Sequence, residues 1–300
     1  MQSFYQLAKQ IYDMNNPREV RRAVIFCARA WLHRREMQKL DAFFQKDPTL
    51  AQLAEIYPFV YEQPTRAFFY NKSTFDERAR IVEQHMLFLC GKLRADVLFP
   101  LYQRVSVPLW QGIMCMGEQM TAALFFDYGQ RKEGLLSVIL RLGAASLYQI
   151  IFWIVPAEDG ANAMWIGAMQ GPNMENARDV VKAATKACHT YRTKNLVLYI
   201  AQAVARSLGI GRIYAVTNEG YYANNHVRVD RKLKTDFSAF WREAGGTDTA
   251  DVRFMELPLI EPRKTMEEVP TRKRAVYRRR FALLDAIDAE VSASVRAVLR

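Results

Sequence analysis

The stretch from Met164 to Asn225 constrains the fold more than any other part of the chain. It reads as an apolar run, the turn Gln170-Gly171-Pro172-Asn173, a helical segment and the basic turn His189-Thr190-Tyr191-Arg192-Thr193-Lys194-Asn195. A second helical segment follows, then a short β-branched run ending at Asn218. After Asn173 the hydrophobic period changes from that of a strand to that of a helix. Asn176 to His189 places Val180, Val181, Ala184 and Cys188 on one face. Asn195 to Leu208 does the same with Leu196, Tyr199, Ala203 and Leu208, and Gly209 is its stop signal. The unit is strand–helix–helix–strand, with two polar turns able to face a ligand.

Upstream, the pattern divides near position 98. Residues 1–98 read as a helical N-terminal region and residues 99–300 as an α+β domain. Val20 to Leu40 carries Val24, Phe26, Cys27, Ala30 and Trp31 interleaved with arginines, the spacing of one amphipathic helix with a basic outer face. Asp47-Pro48 opens another helix. Thr74 to Lys92 is a third, with Thr74 and Glu77 spaced as a capping box and Gly91 as its stop. From Val105 to Met169, short β-branched and aromatic runs broken by glycines predict successive antiparallel strands. Downstream, Arg212 to Thr217 and Arg253 to Leu257 are further strands. Asp236 to Glu243 is an aromatic-faced helix, and Tyr277 to Leu299 a last helix. The expected fold class is α+β: a helical N-terminal region followed by a mainly antiparallel sheet flanked by helices.

Composition narrows the classes of function. A chain of 300 residues, 50% hydrophobic, can bury a large core. Cys27, Cys90, Cys115 and Cys188 are scattered among apolar neighbours, which fits small buried hydrophobes in a reducing compartment. Histidines 33, 85, 189 and 226 show no metal spacing, so no metal site is expected. The N-terminus lacks an apolar leader and the longest apolar run, Gly143 to Pro156, is too short to span a bilayer. The expected location is the cytoplasm, with peripheral contact at the inner membrane as the variant. A formal charge of +11 favours anionic partners: phosphorylated small molecules, lipid head groups or nucleic acid.

Several segments together resemble the VirK/YbjX family of proteobacterial proteins. They are Ile166-Gly167-Ala168-Met169-Gln170-Gly171-Pro172, Lys186 through Arg192 with Lys194 and Leu196, Phe240-Trp241-Arg242-Glu243 with Gly245-Gly246, and Pro270-Thr271-Arg272-Lys273-Arg274 running into Tyr277-Arg278-Arg279-Arg280. The sequence departs from the family at His189 to Thr193, where the family tends to have a glycine and a proline. The resemblance implies roles in virulence, envelope remodelling and tolerance of cationic antimicrobial peptides, with no agreed enzymatic activity. The order of elements is also similar to GCN5-related acetyltransferases. There a glycine-rich turn after a strand opens a helix that holds the pyrophosphate of acetyl-CoA. Here Arg192-Thr193-Lys194-Asn195-Leu196 takes that place, without the glycines and with an extra helix before it.

Three constellations carry candidate chemistry. At the start of the second helix, Arg192, Lys194 and the backbone N–H groups around Asn195 and Leu196 form an expected anion or acyl-CoA site. Gln170 and Asn173 belong to a strand-to-helix turn able to face a substrate, with Asn173 as the expected cap of the following helix. Arg274, Tyr277, Arg278 and Arg279 lie in a dense basic cluster suited to phosphate. His189, Asn218 and Tyr222 are the candidate catalytic side chains, with Glu175, Asp179, Glu219 or Glu243 as carboxylates that could serve His189. The leading expectation is an envelope-homeostasis protein whose two basic regions meet around an anionic ligand, as an acyl-CoA-dependent acyltransferase in its sharpest form. The alternative is a non-catalytic RNA- or membrane-binding regulator.

Overall fold

The computed structural model describes residues 3–225 and 236–300. Seven helices come first: α1 (Phe4–Ile11), α2 (Pro17–Leu32), α3 (Arg34–Phe44), α4 (Pro48–Ile56), α5 (Phe59–Glu62), α6 (Phe75–Lys92) and α7 (Ala95–Tyr102). Asp47 caps α4 by accepting from the Thr49 and Leu50 N–H groups. Thr74 and Glu77 form the capping box that starts α6. Two expectations fail here. Val20 to Leu40 is two helices, because the chain breaks at His33. Helix α6 runs through Gly91 to Lys92, since a glycine lowers helical propensity without ending a well-packed helix.

The strands are β1 (Val107–Cys115), β2 (Glu118–Phe125), β3 (Leu136–Leu142), β4 (Ala145–Pro156), β5 (Asn162–Gln170), β6 (Arg212–Val216), β7 (Thr247–Asp248) and β8 (Phe254–Leu257). They form one sheet in the order β1-β2-β3-β4-β5-β6-β8-β7. Every neighbouring pair is antiparallel except β5 and β6. The crossover between those two holds α8 (Ala177–Ala187) and α9 (Thr193–Ser207). The protein is therefore α+β, with a mainly antiparallel sheet flanked by helices.

Helix α9 is the central helix. Its residues from Leu196 to Ala205 are all buried, so the one-sided face read from the sequence was too narrow. It packs on β3 and β4 and on the last helix, α11 (Arg274–Val298). A helix apolar on every side is one covered on every side. The buried cluster runs from Leu7 to Val295 and includes residues on both sides of position 98. That position falls inside α7.

One buried ion pair ties the N-terminal helices to the turn between β2 and β3. Glu62, 1% exposed, accepts from Arg131 Nε at 2.7 Å and from the Tyr12 hydroxyl at 2.7 Å. Removing one partner of such a pair leaves a buried charge without compensation, which costs more than the pair itself contributes. Arg131→Met is expected to lower unfolding stability by about 3 kcal/mol or more. Urea unfolding of the full chain checks this; an unchanged midpoint would show that Glu62 is solvated or protonated without cost.

Candidate functional site

The parallel pair β5–β6 is short. Its register covers Ala163↔Arg212 to Ile166↔Ala215, while β5 continues to Gln170. Beyond Val216 the chain turns away, with the Thr217 N–H bonded to Arg253 O. Among the described residues, the β6-facing edge of β5 from Gly167 to Gln170 has no strand partner. The other edge explains why β5 bends here. Ile151 pairs with Ala168 and Phe152 with Ile166, so Gly167 is the extra residue of a β-bulge.

The bulge is packed against the turn before β3. A Cβ at residue 167 would lie 1.9 Å from the carbonyl oxygen of Glu133, and one at residue 134 would lie 2.7 Å from that of Phe152. Two glycines thus let the Glu133 segment lie directly on the sheet. The Glu133 carboxylate, 6% exposed, accepts from Gln170 Nε2 at 2.6 Å and from the Tyr221 hydroxyl at 2.7 Å. Burial raises the carboxyl above its usual range, partly offset by these two hydrogen bonds. Burial and the adjacent carboxylate both raise the Tyr221 hydroxyl.

Alternation along the strands places cavities on opposite faces. Tyr148 and Met169 face the α9 side. There they line a cavity of about 480 Å³ with Gly171, Pro172, Lys194 and residues of α10 (Phe237–Glu243). Trp153, Trp165 and Gln170 face the α6 side with Glu133 and Tyr221. On that side a cavity of about 700 Å³ is floored by Trp153, Trp165 and Tyr214. Its lining holds six carboxylates and three arginines. The Trp165 indole N–H in its wall is buried without a hydrogen-bond partner.

At the start of α9, where an anion site is expected, the two cations already hold a carboxylate. Arg192 and Lys194 both pair with Glu243 of α10, and Lys194 lies 4.5 Å from the centre of the Phe240 ring. The N–H groups of Asn195 and Leu196, expected to hold pyrophosphate, instead donate to Arg192 O. The first-turn N–H groups of Thr193 and Lys194 remain outside the intrahelical ladder. Thr193 Oγ1 and Asn195 Oδ1 are buried without partners at this helix start.

The second basic region takes a different place. Arg278 and Arg279 are exposed. Arg274 donates to Val269 O, and Tyr277 packs edge-on against Phe281. None of the four lines the 480 Å³ cavity. Arg280 reaches the basic turn instead, donating to His189 O and Thr190 Oγ1. His189 and Thr190 both have left-handed backbone, φ 51° and 62°. That is costly without glycine, and the guanidinium braces it. A single pocket built by Arg192, Lys194, Arg274 and Arg278 is therefore not what the chain forms.

The other expected residues are bound into the structure. Asn173 is exposed and does not cap α8, whose N-cap is Asn176. Asn218 is tied to the start of α10, its Oδ1 accepting from the Phe237 N–H and its Nδ2 donating to Asp236, the N-cap of that helix. Tyr222 stands edge-on to Tyr221, ring centres 5.0 Å apart. Glu243 serves Arg192 and Lys194, and among the described residues no side chain is hydrogen-bonded to the His189 ring. His85 is a core residue: it accepts from the Ile154 N–H through Nδ1, and burial lowers its pKa to about 3. His226 lies outside the described residues. Sequence reading missed Glu133, whose only local signal is a charged turn, Arg131-Lys132-Glu133-Gly134, between two strands.

The raised Glu133 carboxyl has a pH signature. Its folded state binds a proton more tightly than the unfolded chain, so its contribution is largest below the ordinary carboxyl pKa. That contribution is lost as pH rises through the folded value. Glu133→Gln keeps the shape and removes the buried charge. The stability of the native chain relative to this variant is expected to fall between acid and neutral pH, measured by urea unfolding across the range. A pH-independent difference would contradict a buried, titrating carboxyl.

Residues 15–293 match the family DUF535, described as a protein of unknown function. The uncharacterized protein YbjX of Escherichia coli (strain K12) is 34% identical over 182 residues, covering 60% of this chain and 55% of that protein. An uncharacterized protein of Haemophilus influenzae is 28% identical over 262 residues, covering 86% and 83%. A membrane protein LapB of Mannheimia haemolytica is 26% identical over 184 residues, covering 60% and 76%. A solved cAMP-binding acyltransferase from Mycobacterium smegmatis aligns with 10% identity and a TM-score of 0.30, covering 63% of this chain and 57% of that one. That score is too low to bear on function. By the family match over residues 15–293, with which the YbjX similarity is consistent, the chain belongs to the VirK/YbjX (DUF535) family of unknown function.

Proposed function

We propose that the chain binds an anionic ligand of the acyl-CoA type at the start of α9 and transfers its acyl group to an acceptor on the α6 side of the sheet. The observation that carries this reading is the open β5 edge at the Gly167 bulge, lying between a cavity at a helix N-terminus and a buried carboxylate–tyrosine pair. The pyrophosphate would meet the Thr193 and Lys194 N–H groups with Arg192 and Lys194. The extended arm of the ligand would hydrogen-bond along the free edge of β5, as an added strand does. Its thioester would then reach the Glu133 face. Glu133 would remove a proton from the attacking acceptor, and Tyr221 would return one to the departing thiolate. The acidic, aromatic lining of the larger cavity suits an amine acceptor.

Glu243 makes the anion site conditional. Its pairs with Arg192 and Lys194 are partly exposed, and such pairs contribute only about 0–1 kcal/mol. A phosphate can displace the carboxylate. Calorimetry with acetyl-CoA and longer acyl-CoAs is the direct test. Arg192→Ala with Lys194→Ala should weaken binding about tenfold or more, since charged hydrogen bonds contribute about 1.5–3 kcal/mol each. Glu243→Ala should tighten it. No heat with any acyl-CoA at high protein concentration would end the reading.

The second reading, a non-catalytic binder of RNA or lipid, draws on the exposed Arg272, Lys273, Arg278 and Arg279. It predicts binding that falls steeply with salt and is blind to sequence. Replacing Arg278 and Arg279 with Ser should abolish that binding and leave acyl-CoA affinity intact. Arg280 must be kept, because it braces the His189–Thr190 turn.

A further inference from the structure

Helix α2 buries only part of the apolar pattern read from its sequence. Its buried stripe is Ala23, Phe26 and Ala30. On another face, Val24, Ala28 and Trp31 recur at helical spacing and are exposed. Val24 is 64% exposed, Trp31 61%, and the adjoining Leu32 72%. Isolated surface apolar residues are ordinary, but a stripe of them beside a Trp marks an interaction surface.

The charge around this stripe selects the occupant. Arg18, Arg21 and Arg22 lie exposed on the first half of α2, and Arg34 and Arg35 on the start of α3. Arg34 sits over the Trp31 ring at 5.6 Å. Arg22 pairs with Glu19. A second copy docking through the same face would bring these arginines against one another. An anionic lipid surface instead neutralises them, while Val24, Trp31 and Leu32 enter the head-group boundary. Among the described residues no helix is long and apolar enough to cross a membrane, so the contact would be interfacial.

We propose that the outer face of α2, with the first turn of α3, is a docking surface for membranes rich in anionic phospholipid. It is independent of the cavity at α9. The arginines supply attraction, each contributing about fivefold in affinity near a charged surface. The apolar stripe supplies insertion, with Trp31 at the interface.

The test is flotation of the full chain with vesicles of phosphatidylcholine alone or mixed with phosphatidylglycerol. Binding is expected with the mixed vesicles only, and is weakened by added salt. Trp31→Ser with Leu32→Ser should abolish flotation while urea unfolding stays unchanged, because both side chains are on the surface. Arg18→Ser with Arg21→Ser should reduce it about twentyfold or more. Flotation with both vesicle types alike, or with neither, would overturn the proposal. So would loss of flotation on replacing Arg278 and Arg279 while the Trp31 and Leu32 pair has no effect. A dimer seen by light scattering and abolished by those Trp31 and Leu32 changes would assign the face to self-association instead.

Discussion

The arrangement at the candidate site depends on one close contact, the Glu133 carbonyl lying where residue 167 would carry a side chain. Only glycine permits that approach. The extra residue shifts the alternation of β5, so that Gln170 faces Glu133 while Met169 and Gly171 face the α9 cavity. It also bends β5 as the ladder to β6 ends. An edge strand with free backbone groups is normally a liability that proteins cover. Here, among the described residues, the uncovered length sits beside a helix start and two cavities, which is what the proposed ligand would exploit.

Much of the architecture is legible in the sequence, because β-branched and aromatic runs broken by glycines leave few alternatives. They imply the successive antiparallel strands found between Val107 and Gln170. The break at His33 is not legible, since no proline or glycine marks it and tertiary packing decides where α2 yields to α3. The facing of α2 is only partly legible for a related reason. Phe26 and Ala30 are buried as the apolar pattern implies, while Val24 and Trp31 of the same pattern lie exposed and Ala23 completes the buried stripe. Of the candidate site, the cations Arg192 and Lys194 could be read from their place before a helix. Glu133 could not, because its partners are 37 and 88 residues away along the chain.

The same limit applies to the basic C-terminal cluster. Six cations within Arg272 to Arg280 look alike in sequence, yet they do different work. Arg274 ties its helix start to Val269. Arg280 stabilises two left-handed residues that a glycine would make inexpensive. Arg278 and Arg279 remain at the surface, free to meet an anion. The net charge is thus no measure of ligand-binding capacity. Some of it is structural, and some is balanced within the fold, as at Glu243 and Glu62.

Glu243 also bears on which anions the α9 site can prefer. A simple carboxylate ligand would exchange one monoanion for another and gain little for the lost freedom of binding. A pyrophosphate or phosphate diester chain brings more charge and several acceptor oxygens at once. It can engage the two cations and the unbonded first-turn N–H groups together, which the Glu243 side chain, held on its own helix, is not seen to do. If the α9 site takes an anion as proposed, an internal carboxylate parked on the cation pair would act as a filter. It would raise the threshold against small monoanions and leave a margin for ligands that also reach the helix dipole.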